Sequence, residues 1–405
     1  MSENSKSNGL YYSDPQNLFI VLMSIITIAV ATISFVHSGW QFLVLYMLGW
    51  LIGFSLFQAK YGFSSVYRQI VEDGNTEMLR GHMIKLMVAV SLFSMILSAN
   101  MALFGDTPEG AIAPITFGLV IGSFLFGFGM EFGSGLAPAA MREAQGGRTA
   151  SLFTVSGFLT GATFGAYQFS FWNTTLPAGP EVSLAEDTGL GYLGAWAVFI
   201  FFFLLISIGS YYYKKSTRPP KLTPMPRGTS WTRNILTNWP IWVGAIILAV
   251  LNALVLLVQG SPWKFTAAFS IWGSKIADAV GLDPASWGYW GDQEPLPHLY
   301  DSIFSVDLSV LNLGVLSGAI MTMALAGLIR FGKVPPSVMI ISFIGGTIMG
   351  YGATISFGAN VGAYFSGLAS MSVHAIIWTA MAVTGVFAAY VLEKKYRILG
   401  RGYKS

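Results

Sequence analysis

Two glycine-rich stretches decide how this chain is read: Gly129-Met-Glu-Phe-Gly-Ser-Gly-Leu-Ala-Pro-Ala-Ala-Met141 and Gly352-Ala-Thr-Ile-Ser-Phe-Gly-Ala-Asn-Val-Gly-Ala-Tyr364. Each lies inside a long apolar segment, and aligning Gly129 with Gly352 also superposes Gly135 on Gly358. Both are approached through small residues, Gly118, Gly122 and Gly127 in the first and Gly345, Gly346 and Gly350 in the second, and both are followed by a further glycine-bearing segment (Gly157, Gly161; Gly385). A helix interrupted at membrane depth leaves backbone groups that lipid cannot satisfy, so such a break belongs inside protein or along a watery path. Matched breaks in two half-chains point to a transport site where the halves meet. The competing reading, close helix packing through small residues, is weighed at about half the odds of the pathway reading, because the breaks repeat and carry Pro138 and Asn360.

The composition sets the class. Over 405 residues, 54% are hydrophobic and 10% charged, against about 25% charged in soluble domains. The expected fold is an all-α polytopic membrane protein, an inverted-repeat helical bundle with re-entrant or broken helices. Cysteine is absent, which excludes disulfides, thiolate metal sites and cysteine nucleophiles. The net charge of +3 reflects membrane topology rather than a nucleic-acid partner. Residues 1–16 lack the basic region and cleavage site of a signal peptide, so the segment from Asn17 is read as a retained span.

Ten segments are long enough to cross about 30 Å of hydrocarbon: Asn17–Val36, Trp40–Gln58, His82–Leu103, Ala113–Phe132, Thr149–Gln168, Leu193–Tyr213, Trp239–Val258, Leu308–Arg330, Pro335–Ile355 and Met371–Leu392. Two shorter pieces, Ala59–Val71 and Trp263–Val280, read as re-entrant or interfacial. The chain divides into a tail and first span (1–38), a first repeat (39–213), a basic, proline-rich linker (214–238), a second repeat (239–393) and a basic tail (394–405). Lys and Arg crowd the linker, the Arg330–Lys333 turn and the tail, whereas loops 104–110, 173–191 and 281–307 carry Asp and Glu with no Lys or Arg. The positive-inside rule then puts both termini in the cytoplasm of a bacterial inner membrane and the acidic loops outside. On that count the halves are inverted, the first break opening inward and the second outward.

Several fragments resemble the YeeE/YedE family of bacterial inner-membrane proteins: Gly62-Phe-Ser-Ser-Val-Tyr-Arg68, Gly129-Met-Glu-Phe-Gly-Ser-Gly135, Ala267-Ala-Phe-Ser-Ile-Trp-Gly-Ser-Lys275, Asp283-Pro-Ala-Ser-Trp287 and the run Phe357 to Ser370. The resemblance covers nearly the whole chain and implies an inverted-repeat bundle with a narrow path for a sulfur-containing anion, thiosulfate in the best-understood members. Thiosulfate-uptake members carry a cysteine after the glycine pair of each repeat, where this chain has Leu136 and Ala359, and a third that corresponds to Gly62. A soft thiol suits transient contact with a soft S–S anion; Leu136 and Ala359 offer neither S–H bonding nor thiol chemistry. Three readings stay open: a paralogue for another anion, a member that uses backbone donors alone, or an engineered thiol-free variant.

The candidate pathway comprises Gly62, Phe63, Arg68, Glu131, Gly133, Ser134, Gly135, Leu136, Lys275, Gly358, Ala359 and Asn360. Leu136 and Ala359 form or flank the constriction, the backbone around Gly133–Leu136 and Gly358–Asn360 donates N–H groups, and the Asn360 amide adds a donor. Arg68 and Lys275 concentrate anions at the two mouths. A carboxylate in hydrocarbon is a functional hypothesis by default, so Glu131 is either a proton-coupling group or the partner of Arg68 or Arg142. Lys275 and Asp278 have the spacing of a helical pair. His37, His82 and His298 fall at predicted helix ends or in a loop and read as solvated or interfacial; His374 alone lies near a break. No metal-ligand spacing, phosphate-binding loop, catalytic triad or cofactor signature occurs, so the expectation is a transporter and not an enzyme. Its partners are a small anion and the lipid bilayer. The alternative is an accessory membrane protein that recruits a soluble sulfurtransferase-like protein.

Overall fold

The computed structural model describes residues 15–59, 63–104, 107–135, 147–219, 239–329 and 334–396. Its main helices are α1 (Asn17–Ala59), α2 (Phe63–Asp73), α3 (Glu77–Ser98), α4 (Phe117–Gly135), α5 (Gly147–Tyr167), α6 (Gly191–Thr217), α7 (Ile241–Gln259), α8 (Phe265–Ala279), α9 (Asp307–Leu325), α10 (Pro336–Ile355) and α11 (Val373–Tyr396). Among the described residues, seven helices are long and apolar enough to cross a membrane: Asn17–Gln58, Glu77–Ser98, Gly191–Thr217, Ile241–Gln259, Asp307–Leu325, Pro336–Ile355 and Val373–Lys395. This is an all-α, multi-pass membrane protein. Helix α1 is broken at Gly39, whose φ of 76° is open to glycine. The break separates the two segments expected at Asn17–Val36 and Trp40–Gln58. Gln16 N donates to Ala324 O while Gln41 Nε2 donates to Val258 O, so the first half of α1 rises from the end of α9 and the second starts beside the end of α7.

The helix contacts survive an exchange of the two halves. Helix α1 packs on α9 as α3 packs on α7; α5 packs on α10 as α11 packs on α4; α8 packs on α5 as α2 packs on α11; and α4–α10 and α1–α7 are the self-paired contacts. The outermost elements correspond too, since α1 before Gly39 and α6 both expose long rows of Leu, Ile, Val and Phe, the surface that a bilayer would cover. The short helices α2 and α8 replace the two pieces read as re-entrant.

The small-residue ladder is packing. A Cβ on Gly122 or Gly352 would strike the other's carbonyl, one on Gly127 or Gly385 the carbonyls of Ala382 or Phe124, and one on Gly346 or Gly350 those of Thr154 or Phe158. Gly129 and Gly352 thus sit inside helices described to Gly135 and to Ile355, and in the second motif the break comes several residues after the glycine that opens it. Two helix starts also differ from expectation. Residues Pro114–Thr116 form a strand, pairing antiparallel with Ala178–Glu181, before α4 begins. Helix α3 begins at Glu77 rather than His82, because Glu77 is bonded to Lys214 and Arg80 stacks on Tyr211, which offsets the charges that make this turn look like a loop. His82 is therefore buried, not interfacial.

Candidate functional site

The described break lies between α10 and α11. After Ile355 the chain turns through Phe357 (φ 63°) and Gly358 (φ 147°), then enters a π-helical segment, Asn360–Ser366. Gly358 N donates to Ala353 O (2.8 Å), and Trp378 Nε1 on α11 donates to Gly358 O (3.1 Å). The free backbone groups are thus clamped from both sides. Ala359 is buried in the main core cluster; Asn360 is half-buried and begins the π-helical turn.

On the side of the acidic loops, a cavity of about 260 Å³ reaches this break. Its walls include Lys264, His374, Asn173, Phe357 and Gly362, with Glu181 and Asp292 exposed at its edge. A narrower continuation of about 20 Å³ shares Lys264, Phe357 and Gly362 and goes on to Gly358, Thr266, Ser270 and Thr354. Lys264 lies immediately before α8, whose first turn has no side-chain cap. The N–H groups of that first turn have no intrahelical acceptor, and the positive end of the helix dipole favours an anion there. Thr266 Oγ1, on a residue 5% exposed, has no hydrogen-bond partner in this first turn. A buried orphan hydroxyl is costly, which marks the continuation as a place for a polar guest. Asparagines hold the entry in register: Asn252 Oδ1 accepts from Trp263 N (3.2 Å), and Asn312 Nδ2 donates to Lys264 O (3.3 Å).

On the opposite side, α2 begins at buried Phe63, whose ring packs 5.1 Å from that of Tyr364 in the π-helical segment. Arg68, farther along α2, bridges three elements. It reaches Glu72 at 3.0 Å, Glu131 on α4 at 2.9 Å and Glu393 on α11 at 3.5 Å. Glu131 is 2% exposed, so the pairing expected for it with Arg68 is present, and Arg68 is a neutralised strut rather than a free charge at a mouth. Lys275 likewise donates to the carbonyls of Leu299 (2.8 Å) and Asp301 (2.6 Å) and fastens the 281–306 loop; it does not form the ion pair expected with Asp278. Gly133, Ser134 and Gly135 complete α4. Gly62 and Leu136 lie outside the described residues.

Sequence reasoning passed over Lys264. Its signal was available in the repeat itself, because Gly62-Phe63-Ser64 and Lys264-Phe265-Thr266 open the two corresponding short helices. Lys264 thus occupies, in the second half, the place that Gly62 occupies in the first.

A profile of the sulphur transport family matches residues 58–388, from the end of α1 well into α11. The chain belongs to the sulphur transport family. This is the YeeE/YedE group that the fragments above resemble. Similar proteins are the probable transporter YedE of Escherichia coli K12, 26% identical over 168 residues, and that of Salmonella typhimurium LT2, 25% identical over 167. Each alignment covers 40% of this chain and 41% of the relative. The cavity at Lys264 brings a lysine and the uncapped first turn of α8 together.

Proposed function

We propose that this sulphur transport family member is a permease of the bacterial cytoplasmic membrane for a small sulfur-containing anion, with both termini and the 214–238 linker in the cytoplasm and the Lys264 cavity open to the outside. The observation that carries the reading is the convergence of Lys264, the uncapped first turn of α8 and the orphan Thr266 hydroxyl on one narrow cleft. An oxyanion of sulfur matches these groups: the N–H donors and the hydroxyl replace its hydration and the ammonium its counterion. Gly358–Asn360, with its partner around Gly133–Leu136, forms the waist beyond the cleft. With alanine and leucine at the positions of the family's thiols, recognition rests on charge and hydrogen bonds, so hard oxyanions are admitted alongside thiosulfate.

The test is anion flux into liposomes holding the purified protein, with thiosulfate, sulfite, sulfate and chloride compared. A sulfur oxyanion should enter faster than chloride. Lys264→Met should reduce that entry at least tenfold and Lys264→Arg less, with unchanged thermal unfolding. Full flux in folded Lys264→Met would remove the site. No flux of any anion through the wild-type protein would favour the accessory role, with a soluble sulfur-handling partner at the linker.

A further inference from the structure

An imidazole also lines the Lys264 cavity. His374, the second residue of α11, is one of its walls yet is only 2% exposed. Its Nδ1 lies 2.6 Å from Ser372 Oγ, and that hydroxyl also stands 3.4 Å from Val182 O, just beyond the strand Ala178–Glu181. Val373 N donates to Val182 O (3.0 Å) and Leu184 N to Met371 O (3.0 Å), so the two segments are stitched together and the ring is fixed in place. Glycine at 367 leaves room for the far edge of the ring, since a Cβ there would stand 3.0 Å from Cε1 and 3.1 Å from Nε2. Nε2 has no hydrogen-bond partner among the described residues.

Ser372 lets this ring hold either charge state. A hydroxyl both donates and accepts. It donates to Nδ1 of a neutral ring, whose proton then sits on Nε2; it accepts from Nδ1–H of a protonated ring and turns its own proton toward Val182 O. In both states Nε2–H is left for a guest. Lys264 shares the cavity, Glu181 and Asp292 stand exposed at its edge, and Tyr289 lines the continuation. On the turn after the strand, Asp187 accepts from Ser183 N and Glu186 from Tyr192. On α3, which packs against residues 367–369, His82 and Lys85 lie by Tyr364 and Phe365. A second positive charge beside Lys264 is unfavourable in an empty cavity and favourable beside a dianion. We propose that His374 is the proton-loading residue of the anion site: it takes one proton from the outer solution when a sulfur oxyanion enters, Nδ1–H donating to Ser372 and Nε2–H to the guest, so that anion and proton are bound together. The proposal rests on the reading of this cavity as an anion site, and a binding measurement separates it from transport.

The probe is thiosulfate, a dianion throughout the range in which histidine titrates. Titration calorimetry of the purified protein in two buffers of different ionisation enthalpy counts the protons taken up with it. The wild-type protein should take up a measurable fraction of a proton per anion and bind at least about threefold more tightly at pH 6 than at pH 8. His374→Gln, whose amide can place a donor near the position of Nε2, should still bind, with no proton uptake and no pH dependence. His374→Asn, which keeps an amide within reach of Ser372, gives the same comparison where the glutamine variant does not fold. Binding without proton uptake in the wild-type protein, or unchanged uptake in a folded His374 variant, would overturn the proposal and leave the anion site standing. No binding at all would overturn both. Proton-linked binding by a protein that moves no anion into liposomes would uphold His374 and defeat the transport reading alone.

Discussion

A Cβ at residue 358 would meet Ala363 N at 2.8 Å, and the φ of 147° there is one that L side chains rarely adopt. Gly358→Ala should therefore lower stability by about 1–3 kcal/mol, read as a lower unfolding midpoint in detergent; an unchanged midpoint would mean that the turn is not fixed in this shape. Glu131 makes a different demand, since it is almost wholly buried and held by Arg68. Arg68→Ala should destabilise by about 3 kcal/mol, because it takes an opposite charge away from a buried carboxylate. Adding Glu131→Gln should recover most of that loss, and a double variant no better than the single would put the cost elsewhere. At His298, Nδ1 lies 3.6 Å from Glu294 Oε2, and that carboxylate raises the imidazole pKa above its ordinary 6.5 despite partial burial. A raised folded pKa gives stability that is fully present below the unfolded pKa and is lost as pH rises through the folded value. Hydrogen exchange in the 281–306 loop, corrected for intrinsic rate, should be slower at pH 5.5 than at pH 8.5, and the difference should vanish in Glu294→Gln.

The helices themselves follow from local rules, and their places were largely readable in the sequence. Apolar length located the spanning elements, and glycine marked where two of them touch. What periodicity could not separate was a glycine that breaks a helix from one that admits a neighbour. Gly352 and Gly358 differ only in whether the residues beyond keep their hydrogen bonds, and that is decided by α4 and α11 packing alongside. Gly122→Leu should thus split α4 from α10 and abolish folded protein in size-exclusion chromatography, as a packing position must. The charged residues show the same limit. Arg68 and Lys275 read as mouth cations, and although the sequence offers Glu131 as a partner of Arg68, it does not reveal Glu393 or the loop carbonyls that hold Lys275. Lys264 went unnoticed because its cavity is walled by residues of both halves of the chain.

At the scale of the molecule, the exchangeable contacts make α2 and α8 counterparts in the two halves of the chain. Each starts at a buried phenylalanine or its neighbour. If the acidic loops face outside, a thiol at Thr188 should react with an impermeant reagent added to intact cells, and one at Ser216 should not; the opposite pattern would reverse the assigned direction of entry. The place of Lys264, on the wall of the cavity, bears on energetics that no contact describes. Moving an anion inward against an inside-negative potential takes about 2.3 kcal/mol per elementary charge per 100 mV, and a fixed ammonium part-way along leaves that end-to-end work unchanged. It lowers the dielectric barrier between the ends. In the permease proposed above, Lys264 would therefore govern how quickly a steady accumulation ratio is reached and have no influence on the ratio itself, which is set by the voltage, the concentration gradient and any ion that travels with the anion.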